Sequence, residues 1–417
     1  MNKYLYPTLL VSLFSILGIV YNRYETKKAS IPALKERKQD INPTSEWLNT
    51  KAAVETLLDK IRRNPNDNKS KLALGMAYIQ ESRITGDHAY YDEAAIKLVE
   101  QVLEKEPANY EAQCLKSTVL LSQHHFADAL KAAKDITTNF PDAAYGYGLL
   151  CDAQVETGNY TEAIAAADKM NSMRPDLRSY SRISYLREIL GDYNGAKQAM
   201  EMAVKSSVVG LEQTEWCRTQ LAQLYEKTND FAKADTLYQI SLSARPDYPY
   251  ALIGEARLKT QENKFDEAIA LLKEAKKTTQ DFLPDEEMIK TYQKAAMANP
   301  DKSKQIEEIS KQVSEKLIAA MKVHATSDQS APEKGHYADK ELAYAYLDVN
   351  DTDNALVHAT REWNRRPENI DVNECLAWVY FKRGDIANAK TYIQKALRTG
   401  SKNPTLLMRS NQILNSK

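Results

Sequence analysis

The sequence lacks the motifs that mark the commonest catalytic and metal sites. Its 417 residues contain no G-x-G-x-x-G, G-x-x-x-x-G-K, G-x-S-x-G or H-E-x-x-H, which argues against the usual phosphate loops, hydrolase elbow and zinc-protease helix. Asp285, Glu286 and Glu287 are adjacent acids, but consecutive helix residues do not face each other, so we interpret them as a solvated helix start. We therefore assign no catalytic residue, metal site or cofactor, and an unrecognised enzyme is kept only as an alternative.

Cysteine and histidine are also scarce. The four cysteines are Cys114, Cys151, Cys217 and Cys375. They are far apart and form no C-x-x-C pair, so the sequence predicts buried free thiols instead of a disulfide framework or a metal site. Among the six histidines only His124 and His125 are adjacent. They fall in a predicted turn, where we expect them to be solvated.

Glycine and net charge are low as well. The chain has 13 Gly against 24 Tyr, and its formal net charge is -1. Few glycines and many straight-chain residues favour helices over turn-rich sheet. A charge near zero argues against nucleic acid as a partner. Hydrophobic residues at 43% are enough to bury a long core.

The N-terminus carries one long apolar run, Tyr4 to Tyr21. Its 18 residues are short for a membrane span and long for a signal-peptide core. We predict an uncleaved signal anchor over residues 1–24; a cleaved signal peptide or a buried core helix are the alternatives. The predicted location is the cell membrane with a single N-terminal span, or the secreted or periplasmic space after cleavage. The short basic start favours the exported side for the remainder, whereas the basic residues after the run favour the cytoplasm.

A basic polar linker, residues 25–43, follows the apolar run. From Arg23 to Lys38 there are six basic and two acidic residues, a composition that could contact anionic lipid heads, although we favour a solvated linker. Residues 44–66 then predict a lone packing helix closed by Asn64-Pro65.

A period near 34 residues dominates the chain from Asn68 onward. Prolines 107, 141 and 175 are spaced by one period, and each stops a helix because it cannot continue the backbone ladder. Aromatic residues followed three positions later by Ala occur at Tyr91, Phe126, Tyr160, Tyr193, Phe231 and Phe265. A Leu-small-x-x-Tyr signature begins at Leu74, Leu221, Leu342 and Leu376. The small residues let two helices cross closely, and glycines such as Gly158 and Gly384 terminate the first helix of each pair.

These patterns resemble the tetratricopeptide repeat family, in eight units that begin near residues 68, 110, 144, 177, 215, 249, 336 and 370. The resemblance implies an all-α fold, a right-handed superhelical solenoid of antiparallel helix hairpins. Segments such as Tyr180 to Glu188 are also similar to membrane-targeted or exported bacterial repeat proteins of unassigned role. Units one to six span 68–282 and units seven and eight span 336–403. Residues 283–335 predict a non-consensus hairpin with a loop, and residues 404–417 a capping helix with a polar outer face. The first unit shows a longer turn, Ser82 to Ala89.

The resemblance also implies a concave surface lined by the first helix of each hairpin. Aromatic and Arg residues there that the repeat signature does not use are the candidate partner-binding residues, because these types anchor interfaces. They are Tyr145, Arg178, Arg182, Tyr185, Trp216, Tyr250, Arg257 and Trp378. The alternative is that the rings pack between helices and that Arg182 pairs with an acid of its own repeat array, such as Glu188 or Glu215, and has no ligand. The predicted function is a protein-interaction scaffold that binds a peptide or partner protein; a structural subunit of a cell-envelope assembly is the rival.

Overall fold

The computed structural model of the protein describes residues 31–38, 45–325 and 335–416. Within these ranges the chain is all-helical, as predicted, with 20 α-helices and no strand. The helices are α1 (Ser45–Arg63), α2 (Asn68–Thr85), α3 (His88–Leu103), α4 (Tyr110–Ser122), α5 (Phe126–Asn139), α6 (Ala144–Glu156), α7 (Tyr160–Met173), α8 (Leu177–Ile189), α9 (Tyr193–Lys205), α10 (Glu212–Glu226), α11 (Phe231–Ala244), α12 (Pro249–Gln261), α13 (Phe265–Thr278), α14 (Leu283–Ala298), α15 (Ser303–Ala325), α16 (Asp339–Asp348), α17 (Thr352–Arg365), α18 (Ile370–Lys382), α19 (Ile386–Ala396) and α20 (Pro404–Leu414).

Helices α2 to α19 pair in chain order as nine antiparallel hairpins, which we number 1 to 9 from α2–α3 to α18–α19. The off-pattern segment after residue 283 forms hairpin 7, α14–α15. The eight units expected from the sequence correspond to the other hairpins, whose first helices begin at residues 68, 110, 144, 177, 212, 249, 339 and 370.

The turns inside the hairpins share one backbone device. Gly158 and Gly384 have φ of 82° and 80°, the left-handed conformation that ends a helix and that glycine adopts without strain. Asn229 and His124 take the same conformation, at φ of 60° and 62°, in hairpins 5 and 2. A left-handed residue at this position reverses the chain after the first helix, so one turn geometry serves hairpins with different residues.

Close crossings explain the small residues of the repeat signature. Leu74 and Tyr78 are fully buried beside Gly75, where an added Cβ would find only ordinary contacts at 3.8 Å. Gly254 in α12 is tighter, since a Cβ there would lie 2.2 Å from the ring of the buried Tyr238 in α11. The glycine therefore sets how closely those two helices approach.

Hairpin 1 corrects one expectation about the turns. Helix α2 continues to Thr85, and Gly86 caps it at φ 68°, so only residues 86–87 separate α2 from α3. The predicted long turn from Ser82 to Ala89 is therefore wrong. The additional residues of this unit lengthen its helices, because the helical backbone hydrogen bonds continue through them.

The expectation of a solvated linker is also wrong for residues 31–38, which we call the strap. Ile31 and Leu34 pack against the core of hairpin 1. Arg37 donates to Glu81 at 3.0 and 2.6 Å and to Glu46 at 3.1 Å. The strap is therefore held by buried apolar area and by the ion pairs of Arg37. Helix α1 packs against α2 as the second helix of a preceding hairpin would, so we give it the number 0 in the series of hairpins.

The array turns back on itself after five hairpins. The turn of hairpin 1 meets the chain after hairpin 6, where the Gln280 amide donates to the Thr85 carbonyl at 2.8 Å. The turn of hairpin 2 meets the chain after hairpin 7, where the Tyr337 amide donates to the Gln123 carbonyl at 3.1 Å. At the start of α1, Glu46 pairs with Arg245, which follows hairpin 5, at 2.5 Å.

Hairpins 3 and 4 repeat this offset. The side chain of Asn369, after hairpin 8, donates to the Glu156 carbonyl at the turn of hairpin 3 at 3.1 Å. Gly158 in the same turn approaches the Glu368 carbonyl so closely that a Cβ would lie 2.2 Å from its oxygen. A Cβ at Gly191, in the turn of hairpin 4, would lie 2.6 Å from the oxygen of Gly400, after hairpin 9. We call these contacts, which join hairpin n to the chain after hairpin n + 5 at five levels, the seam.

The seam overturns the expectation of a solvated turn at His124 and His125. His125 is buried, lies 2.6 Å through Nε2 from the Gly335 carbonyl and stacks on Tyr337 at 4.1 Å between ring centroids. His124 lies 2.8 Å through Nδ1 from the Tyr337 carbonyl and 4.3 Å from the ring of His336. His125 is buried and His124 half-buried because the next layer of the superhelix returns over them.

Other sequence expectations have separate outcomes. All four cysteines are free and buried, as predicted. Helix α20 buries Leu406 and Ile413, but Met408 is 50% exposed, so the outer face of the cap is less polar than expected. At the start of α14, burial raises the pKa of Glu286 to about 7, while Asp285 pairs with Lys276 at 2.6 Å, so the acids there are not simply solvated.

The predicted membrane anchor, residues 1–24, lies outside the described residues. Of the helices that the structure describes, none combines the length and apolar character needed to cross a bilayer.

Candidate functional site

The first helices of hairpins 1, 3, 4 and 5 surround an interior cavity of about 440 Å³. We call it the interior cavity. Five of the residues singled out from the sequence line it together, although they come from three different helices. They are Tyr145, Arg178, Arg182, Tyr185 and Trp216. The volume lies within the usual range for sites that enclose a small ligand or a few side chains.

Arg178 is the free cation of this cavity. Its side chain is exposed, and its guanidinium lies 5.3 Å from the ring centroid of Tyr145, a cation–π contact. The Tyr145 hydroxyl is 3.1 Å from the Thr118 hydroxyl, which fixes the ring. Within the described part of the chain Arg178 forms no ion pair with a carboxylate, so its charge is available to a ligand.

Arg182, one helical turn further on, is fully engaged. It donates to both carboxylate oxygens of Asp152, at 2.5 and 2.8 Å, and to the carbonyls of Gly148 and Arg178 at 3.1 and 2.9 Å. Burial alone would lower its pKa, but the Asp152 carboxylate raises the pKa of Arg182 above its usual value. Arg182 therefore pairs with an acid of its own repeat array, as the alternative interpretation held, but the acid is Asp152 and not Glu188 or Glu215, and this arginine joins hairpins 3 and 4.

Tyr185 and Trp216 supply the rings of the cavity. Tyr185 is 43% exposed, yet the surrounding protein, followed by the charges of Asp371 and Glu156, raises the pKa of its hydroxyl well above 10. The hydroxyl therefore stays protonated and can donate to a ligand. Trp216 is half-buried against the core of hairpins 4 and 5, which leaves part of the indole facing the cavity.

The other three candidates do not line this cavity. Tyr250 donates to Asp281 at 3.2 Å, next to the seam. Arg257 donates to both oxygens of Glu226, at 3.0 and 2.8 Å. Trp378 stacks on Phe381 at 5.2 Å and is flanked by Lys382 and Arg409. The structure thus gives each of them a packing or pairing role inside the array.

The acids of the cavity are already neutralised. Asp152 pairs with Arg182, Glu188 pairs with Lys227 at 2.5 Å, and Glu156 pairs with Arg366 at 2.5 Å. These three carboxylates have cationic partners, whereas Arg178 has no carboxylate partner among the described residues. The cavity therefore favours a ligand whose anionic group lies next to the Arg178 guanidinium.

Sequence reasoning missed the residues that reach the cavity from hairpin 1. Gln80 and Arg83 line it from the far end of α2, and Arg83 lies 3.5 Å from Glu212 at the start of α10. Hairpins 1 and 5 are distant in the chain and become neighbours only through the seam. No local pattern in the sequence signals that approach.

A second cavity, of about 520 Å³, lies between α3 and α5 with α4 as its floor. Acids and lysines alternate along its wall, and Lys97 pairs there with Glu93 at 2.6 Å. Three imidazoles, those of His88, His125 and His336, lie at one end. Still, in the part of the chain that the structure covers, no three His, Cys, Asp or Glu side chains are placed to hold a metal ion.

Comparisons with known proteins agree with this architecture. A family model described as "Tetratricopeptide repeat" matches residues 114–176 and 219–281, and a second model of the same description matches residues 376–399. A search of curated proteins by sequence finds no match.

Solved structures are similar to this chain at low sequence identity. The human IFIT1 dimer with m7Gppp-AAAA matches with a TM-score of 0.50 and 13% identity, over 85% of this chain and 78% of that one. The APC/C hetero-tetramer Cut9-Hcn1 gives 0.47 and 14%, over 90% of this chain and 61% of that one, so the protein spans about three fifths of that relative. Yeast Tom70 gives 0.41 and 14%, over 88% and 86%.

Proposed function

Because the chain is a tetratricopeptide repeat protein, we propose that it is a protein–protein interaction scaffold that binds a peptide segment of a partner in its interior cavity. The scaffold role follows from the repeat fold. The choice of the interior cavity rests on the residues that line it.

One observation carries the choice of site: Arg178 is exposed in the cavity over the Tyr145 ring and has no carboxylate partner in the described residues. A guanidinium with five donors in a fixed fork pairs well with a carboxylate. The ring of Trp216 and the hydroxyl of Tyr185 lie on the same wall. This set suits a peptide segment with an acidic group next to an aromatic or aliphatic side chain.

The test reverses the charge at one position. Arg178→Glu in the full chain is expected to lower recovery of cross-linked partners at least tenfold, because the favourable pair becomes a repulsion of like charges. The matched control is Lys134→Glu: Lys134 is exposed on α5, forms no ion pair within the described residues and does not line the cavity. Equal recovery with both variants would remove the cavity from the proposal. Recovery of one partner in a fixed stoichiometric complex would favour a structural subunit of an assembly. Recovery of several partners that exchange with one another would favour an adaptor.

We propose a protein partner in preference to nucleic acid. The IFIT1 neighbour is described with m7Gppp-AAAA, a nucleic-acid ligand, but three carboxylates line this cavity and the formal net charge of the chain is -1. A phosphate backbone favours a strongly basic surface. Fluorescence anisotropy with a labelled single-stranded RNA measures this directly; salt-dependent micromolar binding that Arg178→Glu abolishes would overturn the choice.

We also propose that residues 1–24 attach the scaffold to a membrane, on the strength of the apolar run from Tyr4 to Tyr21. The strap begins at residue 31, so the six residues between reach at most about 20 Å. Hairpin 1 would then lie close to the lipid surface. Deletion of residues 1–24 is expected to move the protein from the membrane pellet to the soluble fraction with unchanged helicity. Retention in the pellet at high salt would place the attachment in the repeats or in a partner.

A further inference from the structure

The loop after hairpin 4 differs from its counterparts in the array. After hairpins 2, 3, 5 and 8 the chain continues with a proline followed by an acid, as in Pro141-Asp142. Residues 206–211, Ser-Ser-Val-Val-Gly-Leu, contain neither a proline nor a charge. Val208 and Val209 are 67% and 63% exposed, and Leu211 is 43% exposed. We call these three aliphatic residues the apolar tip.

Buried polar side chains fix the backbone of this loop. Thr214, which is fully buried, donates through Oγ1 to the Val208 carbonyl at 2.7 Å. The Gly210 amide donates to the carboxylate of Glu215, also fully buried, at 2.9 Å. The Gly210 carbonyl accepts from Arg245 at 3.0 Å. Because three side chains hold the backbone in place, the exposure of the valines is a property of the fold.

Leu211 also stands where its position favours a polar residue. It is the N-cap of α10, where Ser, Thr, Asp or Asn would accept a hydrogen bond from the first turn of the helix. The N-caps of α2 and α4 are such residues, Asp67 and Asn109, and both accept that bond. Neither helix capping nor core packing therefore accounts for the apolar tip, which indicates an apolar environment outside the array.

A lipid surface suits the tip better than a protein does. A stable protein interface buries about 800 Å² on each partner, more than three aliphatic side chains supply. Its strongest contacts are typically made by Trp, Tyr and Arg, and Val and Leu are under-represented among them. The headgroup region of a bilayer sets no such minimum, because binding there scales with the apolar area that is buried.

The tip lies beside the segment that leads to the proposed membrane anchor. Arg37 of the strap donates to Glu46 at 3.1 Å, and Glu46 pairs with Arg245. Arg245 in turn donates to the Gly210 carbonyl, inside the loop. The strap spans at most about 25 Å, and residues 25–30 span at most about 20 Å more. The tip is thus within reach of the bilayer that the anchor would enter.

We propose that the apolar tip is a second membrane contact, which inserts its aliphatic side chains among the headgroups of the bilayer that holds residues 1–24. The proposal rests on the proposed attachment through residues 1–24 and specifies how the array is oriented on the membrane. A single tether leaves the array free to rotate, whereas two contacts fix which side faces the lipid. The tether also raises the effective concentration of the tip at the surface, so a small apolar area is enough.

Fluorescence from single labelled positions in the full chain tests this contact. Val208→Cys carries an environment-sensitive fluorophore, and Val357→Cys is the matched control, since Val357 is 51% exposed on α17 in hairpin 8. The four native thiols are buried, and burial raises the pKa of Cys114 to about 11, so they do not compete for the label. The vesicles contain phosphatidylcholine, phosphatidylglycerol and a lipid with a nitroxide near its headgroup. The nitroxide is expected to quench the label at position 208 at least about threefold more than the label at position 357.

A second variant keeps the anchor and removes the tip. With the label on Leu211→Cys, the added changes Val208→Asp and Val209→Asp are expected to reduce quenching to the level of the Val357 control, because an ionised carboxylate stays out of an apolar layer. Both valines are exposed, so the far-ultraviolet circular dichroism should not change. The variant should still float with the vesicles, since residues 1–24 are intact.

Three results would overturn the inference, and they are distinguishable. Equally weak quenching at positions 208 and 357, in protein that floats with the vesicles, would overturn it and leave the proposed attachment standing. A blue-shifted emission at position 208 that the nitroxide does not quench would mean that protein, such as a second copy of the chain, covers the tip. A full chain that stays out of the vesicle fraction would refute the proposed attachment itself and the second contact with it.

Discussion

Arg178 and Arg182 are one helical turn apart on α8, and the structure predicts opposite consequences of removing them. Arg182 donates to Asp152 and to two carbonyls, whereas the Arg178 guanidinium lies over the Tyr145 ring and forms no ion pair within the described part of the chain. Arg182→Ala should therefore destabilise the array, and Arg178→Ala should leave its stability almost unchanged. The pair is internally matched, because both changes remove the same side chain from the same helix.

The magnitude follows from the groups left behind. Arg182→Ala leaves the Asp152 carboxylate, 35% exposed in its side chain, without its cation. Hydrogen bonds to charged groups contribute about 1.5–3 kcal/mol, and breaking a fully buried pair costs about 3–5 kcal/mol. Water reaches Asp152, so we expect about 2 kcal/mol. Arg178→Ala forfeits one exposed cation–π contact, about 0.5–1 kcal/mol at most.

Urea unfolding followed by far-ultraviolet circular dichroism measures both variants. Repeat arrays depart from two-state behaviour, so midpoints are compared at constant slope. A double-mutant cycle with Asp152→Ala isolates the pair, and the second change should cost little once Arg182 is absent. Strict additivity of Arg182→Ala and Asp152→Ala, or a loss for Arg178→Ala as large as for Arg182→Ala, would refute the assignment of roles.

Three further predictions test the seam and the helix crossings. Gly158→Ala should lower the free energy of unfolding by at least about 2 kcal/mol more than Gly384→Ala, because both strain a left-handed turn but only Gly158 faces backbone across the seam; equal losses would contradict the seam. Gly254→Ala should cost about 1–3 kcal/mol through the tyrosine ring of the preceding helix, while Gly75→Ala should gain about 0.5–1 kcal/mol in helix propensity; the same denaturation series checks both signs. Burial, and then a neighbouring imidazole, lower the pKa of His336 to about 4. The neutral ring therefore contributes its full share of folding stability above about pH 6.5, and this contribution is lost as the pH falls toward 4. A difference in urea midpoint between wild type and His336→Gln that stays constant over that window would refute this pH dependence.

Much of the fold is readable from the sequence because hairpins are local. The Leu-small-Tyr pattern and the closing prolines determine helix pairs from interactions within about 34 residues. The seam is not readable, since it depends on a small rotation at each hairpin that accumulates over five of them. For this reason His124, a turn residue in every local respect, is half-buried and lies within hydrogen-bond distance of a residue more than 200 positions away.

The site was predictable in part for a related reason. Position on the first helix brings Arg178, Tyr185 and Trp216 to one cavity. The partner of Arg182 was missed, although the sequence carries a usable signal. Asp152 precedes Arg182 by 30 residues, and Glu226 precedes Arg257 by 31, close to one period. An acid about one period before an arginine lies at the same height on the neighbouring first helix. That spacing is a better guide to the ion-pair partner of an arginine than proximity along the chain.

The seam also bears on how such a chain can change in length during evolution. An open solenoid can gain or lose one repeat by duplication or deletion, since each unit contacts only its neighbours. Here an insertion of a single hairpin between hairpins 3 and 8 would move every later segment one place along the seam relative to hairpin 3. Gly158 would then face a segment other than Glu368, and Asn369 would face a turn other than its acceptor. The number of hairpins between seam partners must therefore stay constant during evolution. Added hairpins are tolerated only beyond the two ends of the seam.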